Sequence, residues 1–457
     1  MQFRQFYLGC LSHASYYLGS AGEAAIIDPQ RDVDQYIAEA DAHGQKIKYI
    51  IETHSHADFV SGHIELAART GAEIIYGERA NTLFPTHKVK DGDTLSVGSI
   101  ELTFFETPGH TPEGICILAT DRREDKSVLA PSKLFTGDTL FIGDVGRPDL
   151  VGSKGFTAQE MASMLYDSLH KKILTLPDET EVYPAHGAGS LCGKSLSKET
   201  WSTLGEQRKF NYALQPMPRE DFIKVVASDQ PIVPAYFPKS AQKNLEGPTS
   251  VADIAKPVAV DPEAIRSFDG VVIDVRPAAI YGAGHVGNSI NIGLGGQFAS
   301  WAGTLIPIGT PLALVAETKD QIDEALIRLA RVGHETVTSY ILYTDLTGDR
   351  RGIEQVSVAQ AAGYLNSPDA ASNVQFIDVR RPGEYAAGHA AGSVSRPLDD
   401  LANNLDGLDP DASTYVICQG GYRSSAATSI LENAGFNRLF NITGGTAAWI
   451  NAGLKTE

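Results

Sequence analysis

Apolar runs of strand length, each stopped by a polar cluster, set the rhythm of the first half of this chain. Residues 23–29, EAAIIDP, read as a short buried strand ending in a turn, and 46–54, KIKYIIETH, as a second that stops at His54. Between them RDVDQYIAEADAHG predicts a helix closed by its Gly. Strands alternating with helices predict an α/β layered fold. Polar clusters at strand ends are where such folds usually carry their sites.

Two changes of texture divide the rest. Across 215–262 the stretches QPMPRED, DQPIVPAYFPK and LEGPTSVADIAKPVAVDPE are rich in Pro and poor in period. They predict a link with some local structure. Beyond it the chain repeats itself. Asp274-Val275-Arg276 recurs as Asp378-Val379-Arg380, Tyr281 as Tyr385, Gly284-His285 as Gly388-His389 and Ser289 as Ser393, each pair 104 residues apart. That period is a domain rather than a solenoid unit. The expected boundaries are 1–245 for a first domain with its linker, then 246–350 and 351–457.

Composition narrows the class. At 457 residues, 42% hydrophobic and 21% charged, the chain is of folded, multidomain type. Its formal charge of -18 speaks against nucleic acid and against an anionic membrane surface as partners. No apolar run approaches the length of a membrane span, and residues 1–20 lack a basic-then-apolar leader. Cys10, Cys116, Cys192 and Cys418 are far apart and form no CxxC pair, which predicts a reducing, cytoplasmic setting.

The chemistry gathers in four loops, each following an apolar run: Thr53-His54-Ser55-His56-Ala57-Asp58-Phe59, Thr107-Pro108-Gly109-His110-Thr111, Thr136-Gly137-Asp138 and Tyr183-Pro184-Ala185-His186-Gly187. Imidazoles and carboxylates presented at strand ends can converge on one cation, and that donor set suits Fe(II), Zn(II) or Mn(II). The order HxHxD, GHT, GD, AHG resembles the metallo-β-lactamase superfamily over roughly residues 1–215. Within it TPGHTPE, the GD turn and Gly146-Arg147-Pro148-Asp149 look most like persulfide dioxygenases, with glyoxalase II the nearest competitor.

Binuclear members carry HxHxDH, and here Phe59 stands at the last position; His63, one helical turn away, is a poor substitute. The resemblance implies His54, His110 and Asp138 as ligands to one Fe(II) per chain, a two-His-one-carboxylate face with open positions. It implies persulfide and dioxygen as substrates, with sulfite and a thiol as products and no organic cofactor. His56, Asp58 and His186 then orient the ligands. Arg147 is expected to face an anionic persulfide carrier, and Cys192, on the loop after His186, to hold a protein-bound persulfide near the metal.

Near the other end the strand TYVI stops at Cys418, and Gln419-Gly420-Gly421-Tyr422-Arg423 leads into the helix start Ser424-Ser425-Ala426-Ala427. A Cys on a Gly-containing loop at a helix N-terminus meets backbone N–H donors, and with Arg423 these favour the thiolate. The loop, with DVRRPGEYAAGH and GGTAAW, resembles rhodanese over about 353–457. A phosphatase of related architecture needs one more residue between Cys and Arg. In the middle module LALVAETKDQ puts Ala316 at the Cys418 position and Gln321 at the Arg423 position, so it resembles an inactive rhodanese; Asp274 and Asp378 read as structural.

The fold expected is α/β: a metallo-β-lactamase αββα sandwich followed by two rhodanese-like α/β domains. The function expected is persulfide oxidation to sulfite coupled through Cys418 to thiosulfate formation, in sulfide detoxification, by a homodimer or tetramer. A glyoxalase II-type thioester hydrolase, a thiosulfate sulfurtransferase alone, and a non-enzymatic sulfur carrier are the alternatives.

Overall fold

A computed structural model describes residues 1–122, 131–152, 155–228, 230, 232–365, 367 and 373–457. The chain divides into one unit of Met1–Ile254 with Ala330–Gly333 and another of Ala255–Leu329 with His334–Glu457.

The first unit holds two six-stranded sheets. One runs in chain order: β1 (Gln2–Leu8), β2 (His13–Ser20), β3 (Glu23–Ile27), β4 (Lys46–Ile51), β5 (Glu73–Gly77) and β6 (His87–Val89). The other has β7 (Thr94–Val97), β8 (Ile100–Glu106), β9 (Ile115–Asp121), β10 (Lys133–Gly137), β11 (Glu181–Pro184) and β12 (Ser202–Thr203), again neighbour to neighbour. Alternation along the strands decides the layers, since successive side chains point to opposite faces. Ile27 and Ile51 face Leu102, Phe104, Ile117 and Phe135 of the second sheet. Their neighbours Ile26 and Ile50 face outward, onto Tyr36 and Ala40 of the helix Asp34–Ala42 and Leu66 of the helix His63–Thr70. On the far side Leu134 and Val182 meet Leu165 and Leu169 of the helix Ala158–Lys171. Both sheets are covered on both faces, giving four layers, αββα. The strand and helix expected for 23–54 are both present.

The Pro-rich stretch is more than a link. Residues 219–227 form a helix whose Phe222 is buried against the helix Ala158–Lys171, and Phe237–Glu246 forms another. Asp229 and Pro231 lie outside the described residues. Both helices belong to the first unit, which runs on to Ile254 rather than stopping at 245.

The second unit has two five-stranded parallel sheets of one design. The strands are β13 (Val258–Ala259), β14 (Val271–Asp274), β15 (Ser289–Asn291), β16 (Leu312–Ala316) and β17 (Val337–Leu342), ordered β13-β17-β16-β14-β15. The second set is β18 (Glu354–Val356), β19 (Val374–Asp378), β20 (Val394–Ser395), β21 (Ser413–Ile417) and β22 (Leu439–Ile442), ordered β18-β22-β21-β19-β20. The modules share one apolar core, with Ile273, Leu314 and Phe298 packed together with Ile377, Val416 and Leu431.

The sequence repeat is a set of staples. Arg276 forks onto Asp274 and donates to Gly284 O (2.9 Å); Arg380 forks onto Asp378 and donates to Gly388 O (2.8 Å). Tyr281 stacks on His285 with centroids 3.8 Å apart, and Tyr385 on His389 at 3.7 Å. In both modules this pattern ties the end of one strand, β14 or β19, to the crossover that follows it.

Register fixes the equivalences. Asp274 pairs with Val315 as Asp378 pairs with Ile417, so Ala316 does fall opposite Cys418. The helix after Ala316 begins at Lys319, and that after Cys418 at Tyr422. The middle loop is one residue shorter, so Asp320 rather than Gln321 lies opposite Arg423. Gln321 instead folds its amide oxygen back onto the N–H of Glu317 (2.8 Å).

Candidate metal centre and sulfur-transfer loop

Four strand ends of the first unit bring buried imidazoles and carboxylates together. Ligand atoms of His54, His110 and Asp138 all lie within 4.8 Å of one another. His110 Nε2 is 3.4 Å and His54 Nε2 3.7 Å from Asp138 Oδ2. Hydrogen bonding sets which nitrogen faces inward. Thr53 gives its hydroxyl proton to Asp28 Oδ2 (2.8 Å), so the proton between Thr53 Oγ1 and His54 Nδ1 (3.0 Å) belongs to the imidazole. His110 Nδ1 donates to the carbonyl of Arg147 (2.9 Å). Both rings therefore aim the lone pair of Nε2 at Asp138.

His54 Nε2 and both carboxylate oxygens of Asp138 are buried without a hydrogen-bond partner among the described residues. Burying such groups unpaired costs several kcal/mol in general, on the order of 1–3 kcal/mol each, unless a cation completes them. This donor set, with its protons turned outward, fits a divalent metal. Burial and the neighbouring imidazoles hold His54 well below the ordinary histidine pKa, which keeps it a neutral ligand.

The backbone is shaped for this approach. Gly137 has φ +51°, and a Cβ there would come within 2.5 Å of Thr53 Oγ1, the atom that sets the His54 tautomer.

His56, Asp58 and His186 make a second group, and Asp138, His186 and Cys192 a third. His186 Nε2 is 3.4 Å from Asp58 Oδ2 and 3.6 Å from Asp138 Oδ1. Burial works against its charge, but the two carboxylates outweigh that and hold it up at about 9. His56 turns away from the first group, with Nε2 3.0 Å from Asp28 Oδ1. Phe59 packs its ring on His56 at 4.5 Å and on His13 at 4.0 Å. His63 pairs with Glu52 instead (3.4 Å).

Three placements differ from expectation or were missed. Arg147 is buried, with Nε and Nη2 both 2.7 Å from Asp149 and Nη1 donating to Leu191 O, so its fork is engaged in the wall rather than offered to an anion. His13, at the start of β2, is buried with neither ring nitrogen hydrogen-bonded, 5.4 Å from the His186 ring. No motif marks it.

Asn244, from the supposed linker, is buried against the His56–Ser61 loop. Its amide donates to His56 O and Phe59 O (2.8 Å each) and accepts from Ser61 N (2.8 Å). Asn244→Ala strands three buried backbone groups. It is expected to lower stability by about 2–4 kcal/mol and metal affinity by roughly 10–100-fold, read from denaturant melts and metal titration.

Cys192 is buried, with burial first and then Asp58 and Asp138 pushing its thiol well above the ordinary range. A cavity of about 490 Å³ opens beside Ser55 and His110, walled by Leu83, Val151, Phe237 and Leu245. Thr111, whose buried hydroxyl has no hydrogen-bond partner among the described residues, also lines it.

In the second unit Cys418 follows β21. The Gly421 N–H donates to its Sγ at 3.1 Å, and Ser424 Oγ lies 3.3 Å away. Arg423 stands beside it but forks onto Glu384 (2.6 and 2.7 Å).

Comparison with known proteins finds a family match in each unit. The metallo-beta-lactamase superfamily matches residues 8–186, and the rhodanese-like domain residues 361–452. Mitochondrial persulfide dioxygenase ETHE1 of Bos taurus is 33% identical over 220 residues, 46% of this chain and 75% of that protein; the Homo sapiens protein is 32% identical over 222. A hydroxyacylglutathione hydrolase of Polaromonas sp. is 34% identical over 168 residues, 36% of this chain and 57% of that one. Among solved structures, a metallo-beta-lactamase from Staphylococcus aureus subsp. aureus COL superposes with TM-score 0.66 and 34% identity, covering 75% of this chain and 98% of its own. The His and Asp loops of the αββα sandwich and the cysteine loop that follows it thus have one family reading: the chain belongs to the metallo-β-lactamase superfamily, among the relatives of persulfide dioxygenase, and carries a C-terminal rhodanese-like domain.

Proposed function

We propose that this chain oxidises the persulfide of a low-molecular-weight thiol to sulfite at one ferrous ion, and that Cys418 then forms thiosulfate from that sulfite. The observation that carries the first half is the lone-pair geometry of His54, His110 and Asp138, with Phe59 in place of a second-site ligand. Those three residues would hold the ion. A ferrous ion held there would supply the chemistry that oxidises a persulfide sulfur with dioxygen. The overall change is RSSH + O₂ + H₂O → RSH + SO₃²⁻ + 2H⁺.

The chain's own residues do the rest. Thr53 and the Arg147 carbonyl hold the two imidazoles in the binding tautomer. The apolar cavity walls exclude bulk water from the carrier's arm, and Thr111 and Ser55 offer hydroxyls near the sulfur. His56, Asp58 and His186 orient the groups around Asp138. Cys192 stands ready on the Asp138 and His186 side as a place for a protein-bound persulfide.

At the second site the Cys418 thiolate attacks the outer sulfur of a persulfide. The S–S bond breaks, the carrier leaves as its thiolate, and Cys418 keeps the sulfane sulfur. Sulfite then attacks that sulfur through its own sulfur lone pair, and the electron pair of the broken bond returns to Cys418. Linking the two sites in one chain raises the effective concentration of sulfite at Cys418. We place this activity in sulfide detoxification, carried out in the cytoplasm by a homo-oligomer. Among the described residues no helix is long and apolar enough to cross a membrane.

The test offers the iron-loaded enzyme persulfides of glutathione and coenzyme A, inorganic polysulfide, and a glutathione thioester. Oxygen uptake matched by sulfite and thiosulfate is the expected result. Thioester hydrolysis without oxygen uptake would replace this reading with the hydrolase one.

A further inference from the structure

The middle module has no thiol at Ala316, yet it reaches the cysteine loop of its neighbour. Tyr422 sits between Gly421, whose N–H donates to Cys418 Sγ, and Arg423. Its hydroxyl donates to Gly293 O at 2.8 Å, in the loop that follows β15. Its ring lies so close to that loop that a Cβ on Gly296 would come within 2.5 Å of a ring carbon. The loop is itself fastened, because Arg328 donates to Leu294 O (2.7 Å) and Gly296 O (2.8 Å). One turn further along the helix Tyr422–Asn433, Ser425 donates to Asn291 Oδ1 (2.5 Å), and Asn291 N donates to Ser429 Oγ (3.1 Å).

The rest of the cysteine loop is held differently. Thr446 N and Ala447 N donate to the carbonyls of Cys418 (2.8 Å) and Gln419 (3.2 Å), which anchors the first two residues. Arg423 is tied to Glu384. The turn between these anchors is Gly421, left-handed at φ +99°, and the helix it opens has no side-chain cap. Gly421 itself accepts at its carbonyl from Asn441 Nδ2 of β22 (3.3 Å), and Ser424 Oγ lies 3.3 Å from Cys418 Sγ. The middle module adds its own anchor at this point, through Tyr422 and Gly293 O.

We propose that the middle module is a working part of the sulfur-transfer site: its loop 292–297 grips Tyr422 and thereby aims the Gly421 N–H at the sulfur carried on Cys418. Tyr422 and Gly296 are positioning residues. The inference rests on the reading of Cys418 as the sulfur carrier.

The experiment uses the full-length, iron-loaded protein with Gly296→Ala, Gly296→Val and Tyr422→Phe. Three readouts are taken: thiosulfate formed from sulfite and persulfide, oxygen uptake, and the pH profile of Cys418 alkylation followed by peptide mass spectrometry. In the Gly296 variants transfer is expected to fall about tenfold or more, as misaligned groups do. The alkylation profile is expected to change as the N–H donor moves off the sulfur. Tyr422→Phe, which keeps the ring and loses one hydrogen bond, should fall between these and wild type. Oxygen uptake should stay at the wild-type level throughout.

A packing role alone would lower the unfolding temperature and leave the alkylation profile in place. Unchanged transfer and an unchanged profile in folded Gly296→Ala and Tyr422→Phe would overturn the proposal. Should the Gly296 variants fail to fold, Tyr422→Phe decides by the same two readouts. Wild-type protein that never loads sulfur on Cys418 would refute the sulfurtransferase reading, while the alkylation profile would still report whether the grip exists.

Discussion

Asp138→Ala is expected to leave a folded protein that neither holds metal nor consumes oxygen. Both oxygens of this carboxylate are buried and have no hydrogen-bond partner among the described residues, and it approaches His54, His110 and His186 together. Without it two neutral imidazoles remain on the face, too few to retain a divalent ion against a chelator. Metal content after dialysis should drop to the level of the empty protein, and oxygen uptake with persulfide should fall at least about 100-fold. Folding should survive. Removing the carboxylate costs its contact with His186, but Asp58 still pairs with that imidazole, so the change in stability in the metal-free state should be small. Sulfur transfer through Cys418 should continue, because that residue belongs to another unit. Elemental analysis, an oxygen electrode and a thermal melt on one preparation check all three.

Cys418→Ser should produce the complementary phenotype. The hydroxyl keeps most of the side chain's volume and can still accept from Gly421 N, so the loop should keep its form. A serine cannot carry a sulfane sulfur, and thiosulfate formation should fall by roughly 10³-fold or more, as when a nucleophile is removed. Oxygen uptake should remain, with sulfite accumulating in proportion to the oxygen consumed. A thiosulfate yield equal to wild type would break the proposed coupling, and attention would then move to Cys192 as the sulfur carrier.

The sequence carried the parts of this molecule that chemistry constrains locally. A metal needs particular side chains at strand ends, so His54, His110 and Asp138 stand out as motif residues, and the structure brings them together. The DVR–Y–GH–S repeat was legible because the same staple is built twice from residues close in sequence.

What escaped depends on contacts between distant residues. Asn244 bonds to a loop more than 180 residues earlier, and its helix lies in a Pro-rich stretch with no strong period of its own. His13 starts a strand and has meaning only because Phe59 and His186 fold against it. For Arg147 the order Gly-Arg-Pro-Asp leaves a substrate contact and a structural ion pair both open, and only the fold brings Asp149 back to take its fork. The two modules of the second unit read as separate domains because one repeats the pattern of the other 104 residues on, while the core they share joins residues from both.

Everything at the first site turns on how many metal ions activate it. Metal-free protein should be titrated with ferrous ion under anaerobic conditions, and oxygen uptake on persulfide measured at each step. Activity should rise linearly and level off at one equivalent per chain, with zinc at the same stoichiometry giving no oxygen uptake. A plateau at two equivalents, or a zinc-loaded protein that cleaves thioesters while leaving oxygen untouched, would contradict a single ferrous centre.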